Sequence, residues 1–267
     1  MWEAFIQYPF LQRALLASVL VGIICALLGV FVVFNRMAFF VDALAHSALT
    51  GIAMGILIGI TPFWTALIFG IGVAVGVVYI RNKGKLHTDT VLGLFLPVAM
   101  ALGILLLQLK SGYTPDLMSF LFGSVLSVSI IDLIIIGVVG IGAMVWLYFY
   151  YRDLVWLAFD RESALVSGVK VVWLEYILMI ALAVVVIASL QVAGIILVGA
   201  MVVIPAVAAK NLARNFSQVV YYSVAFGLLG SVVGMFLSYI FDLSSGAIIV
   251  MTLAGIFLVT FIIRREK

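Results

Sequence analysis

Charged side chains are scarce in this sequence. Asp, Glu, Lys and Arg make up 9% of its 267 residues, whereas about 25% is usual in a soluble domain. Hydrophobic residues make up 67%, and a water-soluble fold of this length could not bury that much apolar surface. The composition therefore excludes an ordinary soluble domain and predicts a protein that lies in a lipid bilayer.

Cysteine and catalytic motifs are also nearly absent. The single cysteine, Cys25, leaves no intrachain disulfide and no thiolate metal cluster within one copy. The one Gly-Lys dipeptide, Gly84-Lys85, is followed by Leu86 and lacks the spacing of a phosphate-binding loop. No Ser/His/Asp set or carboxylate pair stands in a catalytic context. These absences argue against an enzyme and against ATP hydrolysis by this chain.

The apolar residues gather in blocks of about 16 to 24, each long enough to cross a hydrocarbon core of ~30 Å as a helix. The short alternating segments of a membrane barrel are missing. The sequence predicts an all-α integral membrane protein with about nine transmembrane helices, eight being possible, in one transmembrane domain over residues 1–267. The predicted spans are 11–34, 37–58, 62–80, 88–108, 130–150, 171–190, 194–209, 217–240 and 247–263.

One further apolar segment is too short to span. Residues 115–129, PDLMSFLFGSVLSVS, lie between the fourth and fifth spans. We expect a short re-entrant helix here, which is tolerated only where protein or a water-filled cavity covers it.

The basic residues are distributed unequally between the two sides of this nine-span arrangement. Only Arg13 and Lys110 fall on one side. The other twelve are Arg36, Arg81, Lys83, Lys85, Arg152, Arg161, Lys170, Lys210, Arg214, Arg264, Arg265 and Lys267. The positive-inside rule then predicts an external N-terminus and a cytoplasmic C-terminus. Since the net charge of +3 is mostly this topology signal, we expect no nucleic-acid partner.

The second span carries two ionisable residues, Asp42 and His46. They are four residues apart, and this spacing puts both side chains on one helix face. Carboxylate and imidazole are ligands that Zn²⁺ and Mn²⁺ accept. A homodimer with this pair at its axis would supply four ligands. Alternatively, the two side chains hydrogen-bond each other, or Ser47 and Thr50, and hold helices together.

The connection between the fifth and sixth spans predicts a short amphipathic helix on the cytoplasmic face. Such a helix either rests on lipid headgroups or docks a cytoplasmic partner, and the pattern leaves both open. The candidate docking residues are Asp160, Arg161, Glu162, Ala164 and Gly168.

Five stretches, in this order and spacing, resemble the permease subunits of ATP-binding-cassette importers for zinc and manganese, especially the bacterial high-affinity zinc uptake permeases. The resemblance covers the whole chain. The stretches are NRMAFFVDALAHSALTGIAMG (35–55), DTVLGLF (89–95), DLMSFLFGSVLSV (116–128), ALVSGVK (164–170) and VAGIILVGAMVVIPAVAA (192–209).

The resemblance implies a permease in the plasma membrane of a bacterium or archaeon, working as a homodimer with two copies of a separate ATPase and an extracytoplasmic metal-binding receptor. It implies that Asp42 and His46 line the metal path and that residues 160–168 belong to a coupling helix. The transported ion is expected to be Zn²⁺, with Mn²⁺ next, and no cofactor is bound permanently. The alternative is a secondary transporter driven by an ion gradient, in which Asp42 and His46 form a proton relay. His87, Asp89, Asp132 and Glu175 receive no assigned role.

Overall fold

A computed structural model describes residues 8–84, 86–109 and 128–265, and these residues form nine helices and no strand. The helices are α1 Pro9–Phe34, α2 Ala38–Ile58, α3 Pro62–Gly84, α4 Thr88–Gln108, α5 Ile130–Phe159, α6 Arg161–Val166, α7 Val171–Leu212, α8 Phe216–Phe241 and α9 Ser245–Arg265. The predicted all-α class is confirmed.

All of these helices except the six-residue α6 are long and apolar enough to cross a membrane, which gives eight candidate spans by length and composition among the described residues. The predicted re-entrant helix falls almost wholly on residues 110–127, which lie outside the described part of the chain. It stays a prediction.

Helix α7 accounts for the difference between nine predicted spans and eight observed elements. The sequence analysis placed two spans here, 171–190 and 194–209, and the 42 residues of α7 comprise two helices that meet at a kink. Its backbone leaves helical geometry at Gly194, with φ 77° and ψ 167°, a conformation that is essentially restricted to glycine. Each part of α7 has about the length that crosses a hydrocarbon core. The predicted sides of the two termini depend on this count and stay predictions.

The internal contacts divide into two compact units. One contains α1, the part of α5 up to Met144, the part of α7 from Ser189 onward, α8 and α9. In this unit α1 and α7 approach so closely at Gly29 that a Cβ atom there would overlap the carbonyl oxygen of Val202. Small residues permit such close approach of membrane helices. The prediction of a single domain over residues 1–267 stays a prediction.

The other unit contains α2, α3, α4, the remainder of α5, α6 and the first part of α7. Helix α2 packs against α3 at Gly51, where a Cβ atom would overlap the backbone of Ala66. It contacts α4 through Thr50, whose hydroxyl donates a hydrogen bond to the carbonyl of Ala99. Helix α2 is therefore held from two directions within this unit.

The spanning helices differ in how much of their surface the protein itself covers. In α1 and α7, 67% of the residues in the most apolar window are buried, against 22% in α4, α5 and α9. All five are strongly apolar, so the exposed side chains of the last three are suited to lipid rather than to water. This pattern is typical of a protein embedded in a bilayer.

Candidate metal path and docking helix

Asp42 and His46 lie on the one accessible stripe in the first half of α2. Asp42 is exposed and His46 is half-buried, and Phe39, one turn before Asp42, is 64% exposed. The intervening residues of this turn, such as Val41 and Leu44, are fully buried. The structure therefore leaves the predicted ligand pair accessible while residues 43–45 between the two are buried.

The imidazole of His46 has unused hydrogen-bonding capacity. Its Nδ1 atom is buried and has no hydrogen-bond partner in the described part of the chain. A buried polar atom without a partner is unusual and costs stability. Such an imidazole is available to a ligand.

In the alternative role, Asp42 and His46 hydrogen-bond each other or the hydroxyls of Ser47 and Thr50. The two side chains interact electrostatically, and among residues 8–84, 86–109 and 128–265 both hydroxyls bond to other groups. The hydroxyl of Ser47 donates to the carbonyl of Leu44 at 2.8 Å, and that of Thr50 donates to Ala99 on α4. The Thr50 hydroxyl therefore joins α2 to α4, that of Ser47 bonds within α2, and neither is bonded to Asp42 or His46.

One copy of the chain does not complete a metal site in the region described. No group of three or more His, Cys, Asp or Glu side chains converges there. Cys25 is buried and donates its thiol hydrogen to Ser189. Two ligands on α2 are half of the four that a tetrahedral site uses.

Helix α6 begins at Arg161 and is capped by Asp160. The Asp160 carboxylate accepts hydrogen bonds from the Ser163 hydroxyl and, at 3.0 Å, from the backbone amide of Glu162. These bonds, that of Ser163 first, lower the pKa of Asp160 below its usual 3.8. Gly168, just beyond the helix, has φ 82°, which favours glycine. The predicted short helix is present and its ends are specified by these two residues.

Most of α6 projects from the protein. Ala164 is fully buried, whereas Leu165 is exposed and Val166 is 90% exposed. Exposed apolar side chains beside charged ones suit a contact with another molecule. Helix α6 thus presents a largely exposed surface of charged and apolar side chains.

The structure places Glu175, which the sequence analysis left without a role, at the centre of an ion-pair cluster. Glu175 is 6% exposed and lies one turn into α7. Its Oε1 accepts from Arg161 Nε at 2.9 Å, and its Oε2 pairs with Arg81 at the end of α3. Asn82 also donates to Oε2, at 3.5 Å. A carboxylate inside an apolar span is costly when unpaired, and that cost was the signal for a cationic partner.

The same cluster opens onto a cavity of about 510 Å³. Arg36, Arg81 and Arg161 line it, together with the single carboxylate of Glu175 and the ring of His87. Arg36 has a left-handed backbone, with φ 56°, which is uncommon for a residue other than glycine. The cavity beside α6 therefore carries an excess of positive charge.

The family profile described as the ABC 3 transport family matches residues 7–264. This chain belongs to the ABC 3 transport family. The predicted resemblance to permeases of metal-importing ATP-binding-cassette systems is thereby confirmed, and the chain belongs to a family of transporters rather than of enzymes.

Curated relatives of this ABC 3 family member are named for the transport of manganese, zinc and iron. The chain is 35% identical over 260 residues to the manganese transport system membrane protein MntC of Listeria monocytogenes, covering 97% of this chain and 92% of that protein. It is 30% identical over 261 residues to the high-affinity zinc uptake system membrane protein ZnuB of Haemophilus influenzae, covering 98% and 100%. Since the relatives are named for different metals, the expectation of zinc stays a prediction.

Solved structures show the same fold. PsaBC from Streptococcus pneumoniae, in complex with Fab, superposes with a TM-score of 0.85 at 32% identity, over 97% of this chain and 93% of that one. A metal-chelate type ABC transporter in an inward-facing conformation gives a TM-score of 0.78 at 18% identity, over 97% and 87%. The second likeness concerns the fold alone. Neither comparison tests Asp42, His46 or residues 160–168 of this ABC 3 family member.

Proposed function

We propose that this chain is the membrane permease of an importer for divalent transition-metal ions and that Asp42 and His46 bind the ion in transit. One observation carries the residue assignment. Asp42 is exposed and His46 retains a partnerless buried nitrogen on the same face of α2, although residues 43–45 between them are buried. A carboxylate and an imidazole without other partners are what a metal ion requires.

Because one chain supplies only two ligands, a complete metal site requires a second copy of the chain. A homodimer in which both α2 stripes face the axis supplies two carboxylates and two imidazoles. This set completes four coordination positions, and two-fold symmetry is the commonest arrangement of oligomers. The phenyl ring of Phe39, exposed beside Asp42, would then be covered by the partner subunit.

Energy for transport is proposed to come from a separate ATPase that docks on α6 at the cytoplasmic face. Five of the six residues of α6 are exposed, and the adjacent cavity is cationic. The partners would be two copies of the ATPase and an extracytoplasmic metal-binding receptor, assembled at the plasma membrane, with the C-terminus in the cytoplasm.

The donor set accepts both manganese and zinc, two of the metals for which relatives are named. Imidazole suits Zn²⁺, whereas carboxylates suit Mn²⁺, and Asp42 and His46 supply one of each per chain. The higher identity to the manganese protein makes Mn²⁺ the first ion to assay, with Zn²⁺ assayed in parallel.

Uptake assays test this proposal. The permease, its ATPase and its receptor are expressed in a strain lacking its own manganese and zinc importers, and uptake of ⁵⁴Mn²⁺ and ⁶⁵Zn²⁺ is measured. We expect the Asp42→Asn plus His46→Gln variant to lose uptake by about 100-fold, because metal ligands cannot be replaced by amides of similar size.

Ser47→Ala is the matched control on α2, because the Ser47 hydroxyl bonds within its own helix and we expect uptake to persist. Wild-type uptake by an assembled Asp42→Asn plus His46→Gln variant would contradict the ligand assignment. Uptake by the permease alone, driven by a proton gradient and independent of the ATPase, would instead support the secondary transporter.

A further inference from the structure

Helix α6 has few attachments to the rest of the chain. It has six residues, and a helix of that length has little stability of its own. Its buried contact is Ala164. Between Arg161 and Val166, the ion pair of Arg161 with Glu175 is the one polar side-chain contact to another helix of the described structure. The orientation of α6 therefore depends strongly on Glu175.

Glu175 also connects α6 to a helix that the chain does not join to it. The peptide backbone links α6 to α5 and α7, and neither link leads to α3. The second carboxylate oxygen of Glu175 pairs with Arg81, whose side chain is 15% exposed, in the last turn of α3. One buried carboxylate thus binds α6, α7 and α3 together.

Helix α3 in turn contacts the helix that carries the metal ligands. Gly51 of α2 lies against the backbone of Ala66 of α3, with no room for a Cβ atom. Since all of these helices belong to the same compact unit, a displacement of α6 would reach α2 through packed contacts. Interiors packed this closely transmit strain rather than absorb it.

We propose that Glu175 is the positioning residue that couples α6 to α3, so that movement of the docking helix displaces α2 with Asp42 and His46. This inference rests on the proposed function, in which an ATPase acts on α6. Loss of the Glu175 carboxylate should preserve both ATP hydrolysis and metal binding. Hydrolysis should then drive less metal transport.

The test uses the permease purified with its ATPase, reconstituted in liposomes with the receptor. Uptake of ⁵⁴Mn²⁺ or ⁶⁵Zn²⁺ and release of phosphate are measured together, giving metal ions carried per ATP hydrolysed. We expect Glu175→Gln and Arg81→Gln each to lower this ratio by about tenfold, a common size for coupling between two sites. ATPase co-purification should be retained.

Two comparisons separate positioning from a structural role. Asp132→Asn is the matched control, because Asp132 bonds locally to Ser129 near the start of α5, and its ratio should equal that of the wild type. The double variant Arg81→Gln plus Glu175→Gln should be no worse than either single variant, since both remove the same contact.

An unchanged ratio in both single variants would overturn the proposal, as would loss of ATPase assembly in both. If one of the two single variants fails to assemble with the ATPase, the ratio measured for the other variant decides. A wild-type complex that takes up neither metal with ATP contradicts the proposed function itself, whereas a working wild type with unaffected variants contradicts only the role of Glu175.

Discussion

Two ionisable side chains in the spanning helices, His46 and Glu175, are in opposite situations. Glu175 is buried and its two oxygens accept from Arg81 and Arg161, so the cost of placing a carboxylate there is offset within the chain. The buried Nδ1 of His46 has no such partner in the described structure. A buried, uncompensated group is the stronger indication of a ligand site, whereas a compensated one indicates structure or coupling.

At the same scale, Asp160 should determine whether α6 is ordered. Asp160→Ala removes the acceptor for the amides of the first turn, so those amides should exchange hydrogen faster in exchange mass spectrometry. Asp160→Asn should preserve protection at neutral pH, because asparagine caps helices about as well as aspartate. Equal protection in the Ala variant and the wild type would contradict the capping role.

The charge of Asp160 sets the pH range of this cap. The hydrogen bonds from Ser163 and from the amide of Glu162 favour the ionised form and lower the pKa of Asp160 below 3.8. The stabilisation is therefore fully present above pH 3.8 and is lost as the pH falls through the lower pKa of the folded state. Protection of the first turn should not change between neutral pH and pH 5.

At the scale of elements, hydropathy located the spanning helices because a bilayer demands long apolar segments. At α7 it placed two spans, 171–190 and 194–209, and the backbone leaves helical geometry at Gly194, where the second of these begins. The amphipathic pattern of charged and apolar residues at helical spacing also predicted α6. A cationic partner for Glu175 could be expected from the cost of its burial, but Arg81 and Arg161 could not be identified, because the fold brings them together from α3 and α6.

The contact between α2 and α3 should be intolerant of added volume. Gly51→Ala places a methyl group where the backbone of Ala66 lies, so the helices must separate, at a cost of about 1–3 kcal/mol. Gly72→Ala on α3 is the matched control, since a Cβ atom there meets nothing within 4 Å. Thermal unfolding in detergent should show a lower Tm for Gly51→Ala than for Gly72→Ala. Equal values would contradict the close packing of α2.

At the scale of the whole molecule, the chain is built as one part of a larger assembly. It superposes over 97% of its length on a chain of the solved PsaBC structure, yet its described residues bring together only two candidate metal ligands on one face of α2. Family membership was predictable from five stretches spread over the sequence. The choice between manganese and zinc was not, because one Asp and one His do not select an ion by geometry alone.

The most direct measurement of the central claim is the number of metal ions bound per chain. The purified permease, held with its ATPase in the absence of ATP, is equilibrated with ⁵⁴Mn²⁺ or ⁶⁵Zn²⁺ by dialysis. A site shared by two copies of Asp42 and His46 predicts one ion per two chains, and loss of that ion in the Asp42→Asn plus His46→Gln variant. One ion per chain, or undiminished binding by that variant, would contradict the account.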